Sequence, residues 1–143
     1  MPHTIVELSP VYEGQLAAAK RGVGLRDDDS VLIQDEIETL DRETSVRWGM
    51  VTRADVEIRD AQTAVLSQDG QRLVVRVVGP SDAALEIYET ADPPHDYDAP
   101  NPGTRMLGFT VKVPASTEAR WAVHLSPGGE VAEPPAVRPL ADW

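Results

Sequence analysis

Asp92, His95, Asp96, Tyr97, Asp98 and Asn101 fall within ten residues of one another, in a stretch that also holds Pro93, Pro94, Pro100 and Pro102. Carboxylates beside an imidazole form a donor set that a divalent cation accepts, and a tyrosine ring offers a flat surface on which a sugar stacks. The same residue types also build ordinary loops, because Asp and Asn bond to their own backbone and stabilise turns. Neither the Asp-x-Asp-x-Asp-Gly calcium pattern nor a His-x-x-x-His spacing occurs. No metal or cofactor is therefore implied.

A second acidic group runs from Asp27-Asp28-Asp29 through Asp35, Glu36, Glu38, Asp41 and Glu43. Calcium takes several oxygen ligands, but the simpler reading is a solvated turn at 27–29 followed by outward-facing strand carboxylates. His3, His95 and His124 are scattered, and a strand histidine such as His124 reads as a surface or packed residue. Nucleophile elbows, phosphate-binding loops and G-x-G-x-x-G are absent, so no nucleophile–base pair and no catalytic residue is assigned. The basic groupings are Lys20-Arg21 with Arg26, Arg47 with Arg53, and Arg72 with Arg76.

The elements that must carry these residues follow from period-two alternation. In 71–78, Leu73, Val75 and Val77 share one face while Arg72 and Arg76 lie on the other. Asp69-Gly70 before it is a two-residue hairpin signal, because glycine accepts positive φ, and 63–67 is the expected partner strand. Further strands are expected at 31–37, 46–51, 56–58, 84–88, 107–113 and 120–125. Residues 15–21 have high helix propensity, but the segment is short and Gly22 and Gly24 follow at once. It reads as a strand. Trp48, Phe109 and Trp121 sit in alternating strands and are expected in the core, whereas Tyr97 and Trp143 lie outside strands and are expected exposed. The result is an all-β chain, an antiparallel β-sandwich of about nine or ten strands. Residues 1–127 form the sandwich and 128–143 a Pro/Ala-rich tail, a linker or weakly docked end.

With 143 residues, no cysteine and 13 Lys+Arg against 24 Asp+Glu, the chain is one acidic domain of formal charge −11. Disulfide frameworks, thiolate zinc sites and cysteine nucleophiles are excluded. The acidic balance argues against nucleic acid and anionic membrane as partners, since phosphates demand positive potential. The start, MPHTIVELSP, shows no signal peptide.

Several segments in order resemble the C-terminal β-sandwich of bacterial heparinase II/III-like polysaccharide lyases. They are the stretches at 4–12, 20–23, 31–37 and 46–52, and above all the proline-rich 93–104, so that the resemblance spans about residues 4 to 127. It implies a parent enzyme that cleaves uronic-acid polysaccharides by β-elimination, usually periplasmic or secreted, with an α/α-toroid catalytic domain as partner. In that family a tyrosine, histidines and an asparagine or arginine do the chemistry from the toroid and the sheet after it. No position here matches those motifs. The resemblance thus implies a non-catalytic module supporting catalytic domains, with a carbohydrate-binding module as the alternative. His95, Tyr97, Asp98, Asn101 and Arg105 are the expected contacts to polysaccharide or to a neighbouring domain.

Overall fold

The computed structural model describes residues 1–90, 95–130 and 133–143. Among them the strands are β1 (His3–Glu7), β2 (Leu16–Leu25), β3 (Val31–Thr39), β4 (Thr44–Thr52) and β5 (Asp55–Asp60), then β6 (Thr63–Gln68), β7 (Gln71–Val78), β8 (Glu86–Glu89), β9 (Arg105–Val113) and β10 (Glu118–Pro127). Short 3-10 turns at Ser9–Tyr12 and Leu140–Asp142 are the other regular elements. The chain is all-β, as its alternation predicts, and residues 16–25 are strand rather than helix. Packing of its alternate side chains overrides the helix propensity of Leu16-Ala17-Ala18-Ala19.

Every pairing is antiparallel. A seven-stranded sheet has the order β1-β2-β3-β10-β7-β6-β5, and a three-stranded sheet has the order β4-β9-β8. The β6–β7 hairpin turns on Asp69 and Gly70, whose φ values of 52° and 77° are the two left-handed positions such a turn requires. Its register pairs Leu66 with Leu73 and Ala64 with Val75, which keeps their side chains on the core face.

The core lies between the sheets. Ile37, Leu66, Val75, Val77, Trp121 and Val123 come from the large sheet, and Trp48, Leu107, Phe109, Val111 and Val113 from the small one. Trp48 and Phe109 are cross-strand partners whose rings stack at 5.7 Å. Trp48, Phe109 and Trp121 are all buried, as expected.

The outer face of the large sheet is covered as well. Successive residues Trp121, Ala122, Val123 and His124 of β10 are all buried, although they alternate between faces. Part of the cover is the C-terminal tail, which is docked firmly where the sequence suggested a linker or weakly held end. Gln34 Nε2 donates to the Arg138 carbonyl at 2.6 Å, and the Leu140 amide donates to Glu36 Oε1 at 2.9 Å. Leu140 is buried. Gly22 and Gly24 make room for it: a side chain at either would meet Leu140, Trp143 or Met1. Trp143, expected exposed, packs on this glycine floor with its ring edge-on to His3. Proline content marks the tail as irregular, but irregular backbone can still dock when its few apolar side chains find a flat receiving surface.

Leu140→Ala should lower unfolding free energy by about 2–3 kcal/mol, read from urea melts of the whole chain. An unchanged midpoint would mean that the tail contributes nothing to stability.

Candidate functional site

Register brings Arg21 of β2, Asp35 of β3 and Trp121 of β10 side by side on the core face. Arg21 Nε and Nη2 donate to Asp35 Oδ1 and Oδ2 at 2.7 and 2.8 Å, and Trp121 Nε1 donates to Oδ2 at 3.1 Å. Asp35 is buried, so it is not the outward carboxylate the acidic run suggested. Its position explains this: Asp35 has the same parity as Val31, Ile33 and Ile37, the inward set of β3. A bidentate guanidinium and an indole N–H compensate the desolvated carboxylate. Hydrogen bonding to Asp35 is also the main cause that raises the Arg21 pKa.

This ion pair forms part of the wall of a cleft of about 200 Å³ between the sheets, with Leu16, Val46, Trp48 and Trp121 among its apolar lining. Lys20 and Arg47 border it as well, but their charges are engaged elsewhere: Lys20 Nζ lies 3.9 Å from Glu7 Oε2. The Arg47 guanidinium lies 4.3 Å over the Tyr88 ring. Trp48 Nε1 is buried without an acceptor, a condition that costs about 1–3 kcal/mol.

A second polar cluster lies on the opposite face. His124 Nε2 meets Ser30 Oγ at 2.9 Å, and its Nδ1 faces Ser126 Oγ at 3.4 Å. Ser30 Oγ donates to Asp28 Oδ1 at 2.6 Å. With its proton directed to that carboxylate, Ser30 accepts from the Nε2–H of a neutral His124. Histidine therefore does not act as base toward Ser30, and the grouping is structural. Burial, then repulsion from Arg26 and Arg76, lowers the His124 pKa from 6.5, with Asp28 opposing.

In the proline-rich loop, His95 and Tyr97 stack at 4.9 Å with an interplanar angle of 14°. Tyr97 is 82% exposed, as expected. The Asp98 amide donates to the His95 carbonyl at 3.0 Å, closing the turn that brings the rings together. Asn101 serves through its backbone, its N–H donating to Thr90 and its carbonyl accepting from the Thr104 hydroxyl at 2.7 Å. Arg105 is exposed at the start of β9, opposite Thr52 and Glu89 in the register. The loop thus unites His95 and Tyr97 and leaves Asn101 as a brace. Asp92 lies outside the described residues.

Residues 27–29 form an exposed turn, and among the described residues no three His, Asp or Glu side chains converge as a metal site would need. The sequence reading passed over Arg21, Asp35 and the Trp48 N–H. A charged residue at inward parity was the available signal. No family model matches the chain, and no curated protein matches it in sequence.

Asp35→Ala strands both Arg21 and the Trp121 N–H and should cost about 3 kcal/mol, measured by chemical denaturation. Asp35→Asn, which keeps one acceptor, should cost less. Because the folded pKa of His124 lies below its unfolded value, its neutral form gives full stability at higher pH. That share is lost as pH falls below about 6.5, where the unfolded chain binds the proton more readily. Urea midpoints measured against pH should fall in that window for the native chain, and the fall should shrink in His124→Gln.

Proposed function

We propose that the chain is a non-catalytic β-sandwich module of the heparinase II/III-like lyase type, which supports catalytic domains through its 95–104 loop. The observation that supports this is the stacked His95–Tyr97 pair, held in place while Tyr97 is 82% exposed. A turn that fixes two rings against each other lowers the entropy lost when a partner packs on them. The ordered set of residues resembling that family includes this loop. The polar groups with catalytic potential elsewhere are engaged with one another: His124 with Ser30, Ser30 with Asp28, and Arg21 with Asp35.

The alternative is a carbohydrate-binding module, favoured by the same exposed ring, since sugars stack on tyrosine faces. Incubation with heparin, alginate, chondroitin and ulvan should give no rise in ultraviolet absorbance from unsaturated uronates. A robust rise would overturn the non-catalytic reading. Retention of the chain in affinity electrophoresis against those polymers, abolished by Tyr97→Ala, would replace the supporting role with the carbohydrate-binding one.

A further inference from the structure

We propose that the free edge of β1 pairs with β1 of a second copy of this chain, giving one continuous antiparallel sheet across a weak dimer. This surface is separate from the 95–104 loop and does not depend on the role assigned to that loop.

β1 is an outer strand of the seven-stranded sheet, and all five of its residues are exposed. The Leu8 amide donates to the Ala19 carbonyl, and the Leu25 amide donates to the Pro2 carbonyl. Between these two bonds the register with β2 is unbroken. Bonds in an antiparallel ladder fall on alternate residues, so Thr4 and Val6 bond to β2. The N–H and C=O groups of His3, Ile5 and Glu7 then point away from the sheet. Such an edge is a template for another strand, and proteins guard their edges with charge, bulges, shortness or cover. β5 carries Asp55, Glu57, Arg59 and Asp60 among its six residues, with a bulge between Ile58 and Asp60. β8 is four residues long and begins and ends on glutamate. The first half of β4 lines the cleft beside Tyr12 and Gln15. β1 has none of these guards, and its Ile5 and Val6 are 41% and 47% exposed.

The strand's own sequence selects a second copy as the occupant. In the two-fold register centred on Ile5, Ile5 faces Ile5, His3 faces Glu7, Thr4 faces Val6, and no residue of β1 is left unpaired. The residues with outward backbone groups then stand opposite one another, so each of those pairs exchanges both backbone bonds. Charge fits the same register. On the outer face, Arg120, Glu36, Lys20 and Glu7 form one row of alternating sign across four strands. Within it Arg120 pairs with Glu36 at 2.7 Å and Lys20 with Glu7 at 3.9 Å. His3 of the second copy, as an imidazolium, is the next member of that row. A slip of two residues sets His3 or Glu7 against Ile5 and loses the match. Five residues a side is far below the about 20–30 of a stable complex, so a dissociation constant in the high-micromolar range is expected.

Sedimentation of the whole chain at about pH 6, where histidine carries charge, should show a monomer that becomes a dimer between micromolar and millimolar concentration. In nitrogen-15 spectra the amide signals of His3, Ile5 and Glu7 should move with concentration while those of β5 stay still. Ile5→Pro removes an N–H that β2 does not use, and should abolish the dimer while leaving the urea midpoint near that of the native chain. His3→Glu sets two carboxylates face to face at each end of the pairing and should weaken it by about tenfold or more. His3→Lys keeps the charge and should dimerise at least as well as the native chain. Four results would each overturn the proposal: a monomer at millimolar concentration, moving amides confined to another edge or to the 95–104 loop, undiminished dimerisation of Ile5→Pro, or equal effects of His3→Glu and His3→Lys.

Discussion

Asp35 sets the constraint that the rest of the large sheet must satisfy. A carboxylate placed at an inward position of a central strand loses its water and needs donors from both neighbours. Arg21 supplies two from β2 and Trp121 one from β10. The three residues are directly opposite only in one register. A slip of one residue on either side would turn the donor to the other face and leave the carboxylate uncompensated. The ion pair therefore fixes alignment across three strands, a role that apolar contacts, being non-directional, perform less sharply.

The same pair shapes the edge of the sandwich. A charged group half-open to solvent resists cover by the apolar underside of the small sheet. Arg21 remains 39% exposed at its side chain while Asp35 beneath it is 8% exposed. The cleft is the space left between a requirement for burial and a requirement for hydration.

Strand positions were legible because alternation of apolar and polar residues is a backbone-period signal, as at Leu73, Val75 and Val77. The Asp69-Gly70 turn was legible for the same local reason. Three features were not. Asp35 sat within an acidic run whose apparent meaning was surface, and only its parity with Ile33 and Ile37 said otherwise. The tail's docking depends on Gly22 and Gly24, which read as chain breakers but act as a floor for Leu140 and Trp143. The meeting of Arg21, Asp35 and Trp48 around one cleft needs the packing of two sheets, which no local pattern encodes. In the loop, exposure of Tyr97 was legible, but its stacking on His95 depends on the turn closed at Asp98.

The strand order β1-β2-β3-β10-β7-β6-β5 places the last strand of the chain at the centre of the large sheet. Before β10 is in place, β1–β3 and β5–β7 are two separate ribbons, each with an unpaired inner edge at β3 or β7. Those edges carry apolar residues, Ile33 and Ile37 on one and Val75 and Val77 on the other. Closing the sheet requires β10 to find partners 44 to 94 residues back in the sequence, from Val78, opposite Ala122, to Val31, opposite Leu125. Such topology makes folding slow and dominated by long-range contacts. It also leaves a nascent or truncated chain with two sticky ribbon edges, the form in which strand-rich proteins associate. The buried centre of β10 is then the seal that joins the two ribbons and keeps them from pairing with other molecules.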